Sequence, residues 1–97
     1  MREIGIDDTQ IDMRAPSRIL TSARILLGKT QREVANECGV APKTVYLAER
    51  GDAGIAAVEK LMAHYERAGI RFIEPTEGEG WGVVALFLTS PYGQQPD

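Results

Sequence analysis

The stretch PKTVYLAERG, residues 42–51, places Lys43, Thr44, Tyr46 and Arg50 within a short polar segment. Ammonium, guanidinium and hydroxyl groups are hydrogen-bond donors, the first two cationic, and suit an anionic partner. Leu47 lies among them, an aliphatic side chain in an otherwise polar run. Upstream, Arg18, Lys29, Gln31 and Arg32 add further cations and an amide. Residue types that could do covalent or metal chemistry are sparse. His64 and Cys38 are single residues on different segments, so neither a metal quartet nor a Cys–His pair is evident. The glycine-rich GEGWG lies where a hairpin turn is expected rather than between a strand and a helix, so it is no phosphate cradle. No catalytic residue, metal ligand or cofactor is therefore expected, and the chain does not read as an enzyme.

The charge supports a contact with anions despite a formal net charge of −3. Residues 14–51 carry seven basic side chains against three acidic ones, while residues 1–13 and 52–97 are both net acidic. A basic block between acidic flanks is the footprint of a local anion-binding surface. The composition is that of a soluble globular chain. No apolar run approaches the ~20 residues that span a bilayer. The single cysteine and the lack of a signal-like N-terminus predict a cytoplasmic protein with no membrane partner.

These side chains require helices to position them. Pro16 and Gly28 bracket a first helix with Leu20, Ala23 and Leu27 on one face. TQRE, residues 30–33, predicts a capping box that opens a second helix, which Gly39 ends. Pro42 starts a third helix only a few residues later, so the two must turn sharply on each other. A fourth helix over residues 54–68 shows Ile55, Val58, Leu61, Met62 and Tyr65 on one side and His64 on the wet side. The period then changes to extended: IRFIE and WGVVALFL flank the turn-rich PTEGEG and predict a β-hairpin. The fold class is thus mainly α, four helices followed by a C-terminal hairpin. Residues 1–15 are an unassigned arm, 16–69 the helical domain, 70–88 the hairpin and 89–97 a polar tail expected to be disordered.

The hairpin predicts a partner. If residues 83–88 continue as a strand, Val83, Ala85 and Phe87 face one way and Val84, Leu86 and Leu88 the other. Helices can cover only one such face, and an isolated hairpin is marginal in water. A second copy of the chain is the simplest cover, with Trp81, Val83, Val84, Leu86, Phe87 and Leu88 at the interface. Burial within the monomer is the competing reading.

SARILLGKTQREVANECGVAPKTVYLAERG resembles the phage-repressor-like, XRE-type helix-turn-helix family. The matching positions are Ala23-Arg24, Leu27-Gly28, Thr30-Gln31, Val34-Ala35, Gly39-Val40, Thr44-Val45 and Glu49-Arg50-Gly51. The following LMAHYERAGIRFIEPTEGEGWGVV is similar to the helix-to-hairpin extension of one bacterial branch of that family. The resemblance implies a repressor-like DNA-binding domain whose third helix enters the major groove. It implies a phosphate contact for Gln31, a base or phosphate contact for Lys43, and a backbone contact for Arg50. It also implies that Arg24 and Glu49 pair to hold the first helix to the third. Lys29, Arg32 and Arg18 are further phosphate candidates, and Thr44 and Tyr46 flank Lys43 with hydroxyls. Two departures stand out. Ala41 replaces the usual serine cap, and Leu47 stands where a longer polar side chain is common. The expected function is a transcriptional regulator, most simply a repressor, binding double-stranded DNA as a homodimer. The alternative is a protein-interaction module on the same fold, an antiactivator or antitoxin.

Overall fold

In the computed structural model, residues 14–94 are described. Four helices, Ser17–Leu26 (α1), Gln31–Cys38 (α2), Pro42–Arg50 (α3) and Ile55–Arg67 (α4), precede two antiparallel strands, Ile70–Ile73 (β1) and Gly82–Ala85 (β2). The fold is mainly helical with a C-terminal hairpin, as the change of hydrophobic period predicts. The acidic residues 1–13 and residues 95–97 lie outside the described residues. Arg14 and Ala15, the end of the expected arm, belong to the folded body. Ala15 is buried and its amide donates to Met62 Sδ at 3.3 Å.

Local chemistry sets the helix ends. Pro16 takes the N-cap position of α1, and its carbonyl accepts from the amides of Ile19 and Leu20. The predicted capping box is present at α2: Thr30 Oγ1 accepts from Glu33 N at 3.1 Å, and Thr30 N donates to Glu33 Oε1 at 2.9 Å. Ala41 leaves α3 without a side-chain cap, although Pro42 suits its first turn. Gly51 closes α3 at φ 84°, a conformation that a Cβ would strain.

The core joins every helix to the hairpin. Leu20 and Ala23 of α1, Val34, Ala35 and Cys38 of α2, Val45 and Ala48 of α3, Leu61 and Tyr65 of α4 and Ile70 of β1 are all buried. The Tyr65 ring meets Phe72 edge-on, with centroids 6.4 Å apart. Cys38 is buried between helices, its thiol 3.7 Å from the Lys60 carbonyl oxygen. Ile55, expected on the inner side of α4, is exposed, because the first turn of that helix overhangs the core.

The hairpin differs from the sequence expectation in extent and direction. Ile70 pairs with Ala85 and Phe72 with Val83, and all four, with Trp81, pack on the core side. The opposite face pairs Arg71 with Val84 and Ile73 with Gly82, so it is apolar with one cation rather than uniformly apolar. Alternation stops at Ala85. Leu86 N still donates across the hairpin to Gly69 O at 2.9 Å, but Leu88 N donates to Ala85 O at 3.2 Å, closing a turn through Leu86 and Phe87 in place of a longer strand. Trp81 and Val83, assigned to a dimer contact, spend much of their apolar surface inside the monomer. Leu86, Phe87 and Leu88 remain exposed. In the expected disordered tail, Gln94 N donates to Pro91 O, giving a turn within the part described.

Candidate nucleic-acid interface

Helix α3 buries Val45 and Ala48 and turns Lys43, Leu47 and Arg50 to the other side, at spacings of four and three residues. Tyr46 stands beside that stripe and is exposed, Leu47 is half-buried, and Thr44 is half-buried at the flank. The result is a ridge with a lysine at its start, an arginine at its end and apolar groups between. Lys43, Arg18 and Arg32 are exposed and form no ion pair with any described residue, so their charges face solvent.

The ridge is held by an ion pair beneath it. Arg24 Nε donates to Glu49 Oε2 at 2.7 Å and Arg24 Nη2 to Glu49 Oε1 at 3.0 Å, a two-pronged contact from α1 to α3. Their side chains keep 17% and 7% exposure. Arg24 Nη1 also donates to the Lys29 carbonyl at 3.0 Å, fixing the loop that leads into α2. Burial alone would raise the Glu49 carboxyl, but the hydrogen bonds from Arg24 and Gln31 outweigh it and hold it below the usual range.

Gln31 differs from the role implied by resemblance. Its Nε2 donates to Glu49 Oε1 at 3.0 Å, which makes it a third partner of the ion pair rather than an outward donor. The Glu33 carboxylate of the capping box already sits at the start of α2, which disfavours a second anion there.

Two other cations have acidic partners. Lys29 Nζ is ion-paired with Glu37, whose other oxygen lies 3.4 Å from His64 Nε2. His64 is 12% exposed and packs between α2 and α4, so it is not on the wet face that its helical position predicts. Arg50 lies between two groups. Its Nε donates to Asp52 Oδ2 at 3.3 Å, its Nη1 donates to the Tyr46 hydroxyl at 3.2 Å, and its guanidinium stands 5.7 Å from the Tyr46 ring centroid. Asp52 was missed by sequence reasoning. The available signal was its position immediately after Gly51, where the chain must double back beside the last turn of α3.

Among the described residues no group of His, Cys, Asp and Glu is placed to hold a metal ion, and no helix is long and apolar enough to cross a membrane. No known family model matches the chain, and no curated protein matches it.

Proposed function

We propose that this protein is a sequence-specific DNA-binding transcriptional regulator, a repressor in the simplest case, that docks α3 in the major groove of a palindromic operator as a homodimer. The observation that carries this reading is the outward ridge of α3, with Lys43 and Arg50 at its two ends and the Arg24–Glu49 pair locking it to α1. In this arrangement Lys43 meets base edges, Leu47 meets a thymine methyl, and Arg50 with Arg18, Arg32 and Lys29 meets phosphates. The two copies would place their α3 helices about 34 Å apart, one turn of DNA.

The test is a gel-shift titration against the DNA upstream of the protein's own gene. Site-specific retardation should weaken by ~10³-fold between about 50 and 200 mM salt if some six phosphates are neutralised. Lys43→Ala should erase preference among sequences, whereas Arg50→Ala should weaken all sequences alike. Retardation unaffected by either substitution would rule out this docking.

A second reading, a protein-interaction module of the antiactivator or antitoxin kind, draws on the exposed Leu86, Phe87 and Leu88 and on the apolar Tyr46–Leu47 pair. It predicts a stable co-purifying protein and no retardation.

A further inference from the structure

The binding reading leaves one contact unused: the acid beside the terminal arginine of the ridge. We propose that Tyr46 and Asp52 form a cradle that holds Arg50 in place, and that Asp52 yields its position to a DNA phosphate when the complex forms. The inference rests on the DNA-binding reading above and adds to it a positioning residue and an internal competitor.

Three contacts carry it. The Tyr46 hydroxyl accepts from Nη1, and the Tyr46 ring lies beside the guanidinium at cation–π distance. Asp52 accepts from Nε. Tyr46 and Arg50 are one helical turn apart, so the ring is fixed by α3 itself. Asp52 follows the left-handed Gly51, in the loop, and its backbone N donates to Leu47 O at 2.8 Å. The two partners therefore differ in kind. Tyr46 is neutral and rides on the recognition helix, so it can stay in contact while DNA binds. Asp52 is an anion on the solvent side and occupies the guanidinium edge that a phosphate oxygen would use. Both side chains of that ion pair are more than half exposed, 58% and 54%, so the exchange breaks a weak contact rather than a buried one.

The consequence is a DNA affinity held below what the cations alone would give. When phosphate displaces Asp52, the freed carboxylate stays near the DNA and repels it. Asp52→Asn should thus raise affinity for a mixed-sequence duplex by about two- to fivefold at low salt. The slope of log K against log salt should stay nearly the same, because the number of phosphates neutralised does not change. Glu77→Gln, an equal charge change in the hairpin turn, controls for net charge and should give a smaller gain in affinity. In an Arg50→Ala background the Asp52→Asn gain should vanish, because the two residues act as one unit. Tyr46→Ala should lower affinity, and Tyr46→Phe should restore most of it by returning the ring. In the free protein, the Arg50 guanidinium resonances should be shifted by the Tyr46 ring in the wild type and return to ordinary arginine values in Tyr46→Ala.

An Asp52→Asn gain no larger than that of Glu77→Gln, or one that persists without Arg50, overturns the exchange while leaving DNA binding intact. Tyr46→Ala with unchanged Arg50 resonances and affinity overturns the positioning role. No binding by any of these proteins, wild type included, overturns the DNA reading and the exchange together.

Discussion

Glu49 ties three helices together, because it collects Arg24 of α1 and Gln31 of α2 at one carboxylate of α3. Its carboxyl is depressed, so it binds a proton more weakly in the folded than in the unfolded chain. The stability it supplies is therefore complete above the unfolded carboxylate value, about 4.3, and is lost as pH falls through the lower folded value. Glu49→Gln should cost about 2–3 kcal/mol at neutral pH, somewhat below a fully buried pair because Arg24 stays partly exposed. Urea unfolding at pH 7 and pH 3 checks both statements, since the gap between variant and wild type must narrow at the acid end. Tyr65 presents the opposite case. Its hydroxyl is buried and makes no hydrogen bond with a described residue, while burial, and then the charge of Glu49, push its pKa well above the normal tyrosine value. Tyr65→Phe should leave the unfolding free energy unchanged or raise it by about 1 kcal/mol. A loss greater than that in the same urea titration would mean the hydroxyl has a partner. The Arg24–Glu49 pair was legible through resemblance, but Gln31 was not. Its partner is 18 residues away, and no local pattern reports a contact of that range.

At the scale of elements, the helices were legible because each carries its own boundary chemistry. The capping box at Thr30, the prolines at 16 and 42 and the glycines at 39 and 51 mark the ends, and the buried stripes follow the helical period. The second strand was misjudged for a physical reason. Val83, Val84, Ala85, Leu86, Phe87 and Leu88 are all apolar, so the sequence contains no change of pattern where the strand ends. The strand ends instead where Leu88 N turns back to Ala85 O, and Gly69, whose missing side chain admits the Phe87 ring, leaves room for that turn. A Cβ at Gly69 would lie 3.0 Å from Phe87 Cδ2, at a backbone φ of +103°. Gly69→Ala should therefore destabilise by about 1–3 kcal/mol, read as a lowered midpoint in thermal unfolding. His64 was misplaced for a related reason. Helical phase puts it opposite the apolar stripe, but α2 packs there too and brings Glu37 to its ring.

For the molecule as a whole, the segregation of charge matters more than its sum. The ridge lies in the basic block, with Asp52 bound to its terminal arginine and Glu49 tied to Arg24 beneath it. The hairpin gives the monomer's core one sheet face and leaves Leu86, Phe87 and Leu88 outside. If these residues join two copies, sedimentation equilibrium should show a dimer that becomes a monomer in the double variant Leu86→Ser, Phe87→Ser. A wild-type monomer at high micromolar concentration would remove the hairpin from any account of operator symmetry. The composition could not separate these outcomes, because apolar surface buried on a core and apolar surface buried on a partner have the same signature in sequence.

Cys38 offers a clock for the motion of this domain. It is the chain's single cysteine, and its thiol is covered where α2 meets α4. Reaction of this covered thiol requires α2 and α4 to part, so the alkylation rate counts openings of that contact. With one sulfhydryl, each labelled molecule records one kind of event. A ligand that grips both α2 and α3 must slow that clock, whatever the ligand is, whereas one seated only on residues 86–88 should leave it running.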